Sequence, residues 1–173
     1  MKKSVLVIAH KDYRDEEYEL TRKTLEDAGI SVSVTSTDNS EAEGVKGGRA
    51  KVDILLRDVK ESDFDAILFI GGPGSKSYVG HAIASQLARE FMSAGKVIGA
   101  ICYAPAILAK AGVLSGRKAT GWRTEENNEV PDMITREGGI YIDQPVVVDG
   151  SVVTAFDPAA AIGFGNAVAE LLR

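Results

Sequence analysis

Three short apolar runs constrain this chain more than any other feature. Val5–Ala9, Ala66–Ile70 and Val97–Ile101 are continuously hydrophobic over five residues each. Such runs predict strands covered on both faces, the mark of a parallel sheet wrapped by helices. Helical periods lie between them. Glu16–Ala28 places Leu20, Leu25 and Ala28 near one face and stops at Gly29. A helix from about Ser77 to Ala94 carries Val79, Ile83, Leu87 and Phe91 along one stripe. A third runs from Tyr103 to Ala111 and stops at Gly112. Strand–helix–strand alternation requires right-handed crossovers, so the expected fold is α/β, with a mostly parallel sheet between helices.

The remaining segments fit that frame unevenly. Ile30–Val34 alternates with period two and reads as a strand. Residues 35–50 are polar, with Gly44, Gly47 and Gly48, and read as a loop or small hairpin. Lys51–Leu56 reads as a strand within that excursion. Val146–Val148, Asp149-Gly150 and Val152–Thr154 form a hairpin signal. A last helix starts at Pro158, with Ala161, Phe164, Val168, Leu171 and Leu172 inward. Residues 121–139 are polar and receive no assignment.

Size and charge narrow the function classes. The 173 residues suit one domain, 1–173. With 20 basic and 25 acidic side chains the net charge is −5, which argues against nucleic-acid or membrane-surface partners. Lys2 and Lys3 precede an apolar run too short for a signal peptide, so the expected compartment is the cytoplasm. One Cys excludes an internal disulfide. One Cys and two His supply a metal site poorly, so no metal is expected.

In a parallel sheet, ligands sit at the carboxyl ends of the strands. Those ends here carry His10, Gly71-Gly72 and Cys102. Ala100 and Ala104 flank Cys102 two residues away on each side. That is the spacing of a sharp strand-to-helix elbow, where larger neighbours would clash. The helix that follows favours a thiolate. A free thiol of pKa ~8.5 is only about 3% ionised at pH 7, and a helix terminus contributes at most ~2 kcal/mol. A further donor near the sulfur is therefore expected. His10 is either a general base reaching the pocket or a surface-loop histidine. His81 reads as structural or exposed.

The segment Ala100-Ile-Cys-Tyr-Ala-Pro105 resembles the nucleophile elbow of the ThiJ/PfpI superfamily. So do Phe64–Gly72, Gly112–Thr120 and Val146–Gly150, in that order, and Gly47–Val59 is similar to the PfpI, or intracellular protease/amidase, branch. The resemblance implies a flavodoxin-like three-layer sandwich. It implies Cys102 as nucleophile and Glu17 as a protonated carboxyl donating to the thiolate. It implies oxyanion donors at Gly72 and the Tyr103 N–H within the Gly71-Gly72 and elbow turns, and Trp122 as a pocket wall. Two departures stand out. The PfpI branch carries His after the Cys, where this chain has Tyr103. It also uses a Glu from a neighbouring subunit, where this chain has Lys76. A Cys–His–acid triad is thus broken, although the Tyr103 hydroxyl is a possible donor.

The resemblance implies a cofactor-independent enzyme acting on small reactive carbonyls, in the manner of a glyoxalase III or deglycase, with a small-molecule substrate and a homodimer or larger homo-oligomer. The alternatives are a PfpI-type peptidase or amidase, and an oxidative-stress sensor or chaperone without turnover.

Overall fold

The computed structural model describes residues 1–173. In chain order the elements are β1 (Lys3–Val7), β2 (Lys11–Tyr13), α1 (Asp15–Asp27), β3 (Ser31–Ser36), β4 (Ala42–Gly44), β5 (Arg49–Ala50), β6 (Ile54–Leu55) and β7 (Ala66–Phe69). They continue with α2 (Ala82–Ser93), β8 (Val97–Ile101), α3 (Pro105–Lys110), β9 (Lys118–Ala119), α4 (Glu129–Arg136), β10 (Ile140–Tyr141), β11 (Val146–Asp149), β12 (Val152–Ala155) and α5 (Ala161–Leu171).

The main sheet has seven strands in the order β11-β12-β8-β7-β1-β3-β6. Every neighbouring pair is parallel except β11–β12, the antiparallel hairpin expected from Asp149-Gly150. Its three central strands are the three apolar runs, and their residues from Val5, Ala66 and Val97 onward are buried. Helices α1 and α5 pack on each other, α2 packs with α3, and α4 packs against α3. The result is the mostly parallel sheet with flanking helices, of flavodoxin-like type, that the sequence predicts.

One glycine explains how closely the layers meet. A Cβ on Gly99 in β8 would stand 2.6 Å from Leu68 and 2.8 Å from the Phe164 ring, so α5 settles its aromatic ring onto the strand where there is no side chain.

Several local expectations need correction. The buried side of α1 is Asp15, Glu17, Tyr18, Thr21 and Leu25, whereas Leu20 is 36% exposed and Ala28 is exposed. Three of those five residues, Asp15, Glu17 and Thr21, are polar, so hydrophobicity alone chose the wrong stripe. The helix expected from Ser77 is two elements. Pro73–Tyr78 forms 3₁₀ turns, the chain reverses at Gly80 with φ +73°, and α2 starts after His81, whose ring accepts the Ala84 N–H as an N-cap. Leu171 is 39% exposed rather than inward.

Of the strand expected at Lys51–Leu56, only Ile54–Leu55 pairs with β3. The polar stretch 35–50 supplies β4 and β5, which join β2 in a three-stranded sheet. Its loop is organised by buried Asp15, whose carboxylate accepts the N–H groups of Lys46 and Gly48, each at 2.8 Å. A Cβ on Gly44 or Gly48 would collide with that carboxylate.

Candidate active site

Cys102 follows β8 and adopts φ +64°, in the left-handed region that β-substituted residues avoid. That conformation costs about 1–2 kcal/mol. Main-chain bonds hold it from both sides: the Cys102 N–H donates to Ala155 O at 2.9 Å, and the Trp122 N–H donates to Cys102 O at 2.8 Å. The neighbouring Ala100 and Ala104 are fully buried, which leaves no room for larger residues at the elbow. Cys102 itself stays partly exposed and lines a cavity of about 380 Å³ with Arg14, Gly72, Pro73, Lys76, Tyr103, Trp122, Asn127, Asp157 and Pro158.

Glu17 comes to the sulfur from the first turn of α1. It is fully buried. Its Oε2 accepts the Gly71 N–H at 3.2 Å, and its Oε1 has no hydrogen-bond partner. An added Cβ on Gly71 would lie 2.8 Å from Glu17 Oε2 and 2.9 Å from Cys102 Cβ. The missing side chain at Gly71 is therefore what lets the carboxyl and the cysteine meet.

Burial pushes the Glu17 carboxyl up to about 8, against a weaker pull from the Cys102 contact and the Gly71 N–H. The acid therefore keeps its proton at neutral pH. Burial also pushes the Cys102 thiol up, and an ionised Glu17 pushes it further; the Tyr103 N–H and the charge of Arg14 work the other way. A protonated Glu17 removes the second of those upward pushes. In the hydrogen-bonding contact between the two side chains the carboxyl is then the donor.

Two cavity-lining residues, Gly72 and Tyr103, contribute backbone donors. Gly72 adopts φ +108°, ψ 165°, a conformation reserved for glycine. Its N–H donates to no atom of the chain, and the Tyr103 N–H lies on the sulfur. The Gly71 N–H is already committed to Glu17, so of the glycine pair only Gly72 retains a free donor.

The Tyr103 side chain belongs to a separate cluster. Its hydroxyl donates to Glu129 Oε1 at 2.8 Å, and Lys76 Nζ stands 5.1 Å from the ring centroid and 3.9 Å from Glu129 Oε2. Burial and the neighbouring Glu129 raise the phenol well above its ordinary value, so it is no base at neutral pH. Trp122 lines the cavity. His10 does not line it: the His10 Nε2 is 3.3 Å from the Oγ of Ser40, in the loop leading to β4.

Sequence reasoning missed Arg14, Asn127, Glu129, Asp157 and Pro158. Arg14 carries a signal in hindsight, as the cation immediately before a helix start rich in acids. Asn127 and Glu129 lie in the unassigned stretch 121–139, and nothing in its pattern points to them.

The family model for the DJ-1/PfpI family matches residues 3–171. An uncharacterized protein of Methanocaldococcus jannaschii is 40% identical over 172 residues, covering 99% of this chain and 82% of that protein. A deglycase of Pyrococcus horikoshii is 30% identical, covering 98% of this chain and 99% of the relative. The crystal structure of a ThiJ/PfpI domain protein from Brachyspira murdochii superposes with a TM-score of 0.92 at 29% identity, covering 98% of this chain and 95% of that one.

Proposed function

The chain belongs to the DJ-1/PfpI family, and from that premise we propose that it is a cofactor-independent cysteine enzyme acting on small 2-oxoaldehydes. One observation carries the reading: a partly exposed cysteine at a left-handed elbow opens on a cavity and abuts a buried carboxyl that holds its proton at neutral pH.

The chemistry follows from that pair. The Cys102 sulfur adds to the aldehyde carbon, and the carbonyl electrons move to oxygen. That oxygen is received by the N–H groups of Gly72 and Tyr103 and protonated by Glu17, giving a hemithioacetal. Glu17, now ionised, takes the hydrogen from the former aldehyde carbon and returns it to the neighbouring carbon through an enediol. The product is a thioester of a 2-hydroxy acid. Water cleaves the thioester and restores the thiol. The sum is one oxoaldehyde plus one water giving one hydroxy acid, with no external oxidant or reductant.

Peptide cleavage fits less well. It needs a proton carrier for a leaving amine. The residue after the cysteine is Tyr103, whose hydroxyl is spent on Glu129. A carbonyl addition has no leaving amine to protonate.

The test is conversion of methylglyoxal to lactate by the purified protein and by Cys102→Ser. The native protein is expected to turn over, and the variant to fall to the uncatalysed rate. Undiminished turnover by the variant would remove Cys102 from the reaction.

A further inference from the structure

Lys76 has no role in the sequence of steps above, yet it lines the same cavity as Cys102. Its side chain is more than half exposed, at 57%. It rests over the Tyr103 ring, and its one carboxylate neighbour, Glu129 Oε2, is at a long 3.9 Å. The other oxygen of Glu129 receives the Tyr103 hydroxyl at 2.8 Å. Lys76 is thus held in direction by a ring face without a close counter-ion.

The rest of the lining does not supply that counter-ion. Arg14 is paired with Glu16 at 2.6 Å. Asp157 is the only carboxylate on the lining, and its Oδ1 accepts the Ala160 N–H at 3.2 Å to cap the turn before α5. Glu17, behind the sulfur, is buried with no cation bound to it. A site for a neutral dicarbonyl has no use for an ammonium held only by a ring face and one carboxylate contact at 3.9 Å. A site for an anionic one does.

We propose that Lys76 recognises a carboxylate on the substrate, so that the preferred substrates are small carbonyl compounds carrying a negative charge close to the reacting carbon. This rests on the reading of Cys102 as the nucleophile. Attraction between the ammonium of a half-exposed side chain and an arriving anion speeds encounter and is screened by salt.

Alkylation of Cys102 by iodoacetate and by iodoacetamide tests it without any turnover. In both reactions a C–S bond forms and iodide leaves; only the charge beside the reacting carbon differs. The ratio of the two rates cancels the reactivity of the thiol itself. In the native protein this ratio is expected to exceed that of a small free thiol by about threefold to tenfold. It should fall to the free-thiol value or below in Lys76→Glu, fall partway in Lys76→Gln, and collapse in 1 M salt. A native ratio equal to that of the free thiol, or a ratio unmoved by Lys76→Glu, would overturn the proposal and leave the nucleophile reading intact. Failure of iodoacetamide to modify Cys102 at all would instead overturn both.

Discussion

The Gly71 N–H donates to Glu17 Oε2 at 3.2 Å, so the turn that ends β7 holds the carboxyl that stands beside Cys102. Three separate pieces of chain meet there: the start of α1, the end of β7 and the elbow after β8. None of the three can be moved without the others, because Gly71 provides both the donor and the gap.

Gly71→Ala should therefore damage stability and reactivity together. The new methyl group would meet Ile101 O at 2.7 Å, Glu17 Oε2 at 2.8 Å and Cys102 Cβ at 2.9 Å. Two of these neighbours are fixed by the sheet and the elbow and cannot yield. Overpacking of this kind costs about 1–3 kcal/mol. A drop in thermal midpoint together with slower alkylation of Cys102 is expected. An unchanged midpoint would mean the gap is not needed.

Glu17→Gln should change how stability depends on pH. The ordinary carboxyl value is 4.5, and burial raises it to about 8 in the folded chain. Below pH 4.5 both folded and unfolded states hold the proton, so the group is neutral in its effect. Between 4.5 and 8 the unfolded state releases the proton and the folded state keeps it, so stability falls as pH rises. Above about 8 both are ionised and the loss levels off at several kcal/mol. Gln cannot ionise. Melting curves of the two proteins should therefore move in the variant's favour from pH 5 to pH 8. A constant difference across that range would mean the carboxyl is ionised in the fold.

Tyr103→Phe should leave the cysteine chemistry nearly intact. The hydroxyl donates to Glu129, away from any role as a base, while the part of Tyr103 that serves the sulfur is its main-chain N–H. A loss of about 1 kcal/mol in stability is expected from the missing hydrogen bond. Turnover should change by less than about threefold, the kinetic equivalent of less than 1 kcal/mol. A hundredfold loss would make the phenol a catalytic group.

His10→Gln should have no effect on turnover. The ring bonds Ser40 and is absent from the cavity lining. A tenfold loss would show that the ring swings into the pocket during the reaction.

The sheet was legible because its central strands are continuous apolar runs, and burial on both faces leaves that pattern no alternative. The hairpin was legible from Asp149-Gly150, where Gly150 takes φ +60°. The buried face of α1 was not legible, because it hides Asp15, Glu17 and Thr21, which hydrophobic periodicity counts as outward. The break before α2 was missed because Gly80 and the capping ring of His81 interrupt an apolar spacing that runs on across them. At the site, the elbow residues could be read from small neighbours at fixed spacing. Glu17 could be read only through family resemblance, since one acid among Asp15, Glu16, Glu17 and Glu19 carries no mark of its burial. The pairing of Tyr103 with Glu129 spans 26 residues and crosses a segment without periodicity, so nothing local foretold it.

The central claim is that Cys102 and Glu17 act as one unit, with the carboxyl proton supporting a thiolate on the sulfur. The rate of Cys102 alkylation by iodoacetamide, followed from pH 4 to pH 10 in the native protein and in Glu17→Gln, tests it most directly. The account predicts a native half-maximum that moves upward in the variant, because Gln lacks the carboxyl proton that offsets the upward push of burial on the thiol. A half-maximum unmoved by Glu17→Gln would contradict it and leave Cys102 an ordinary buried thiol.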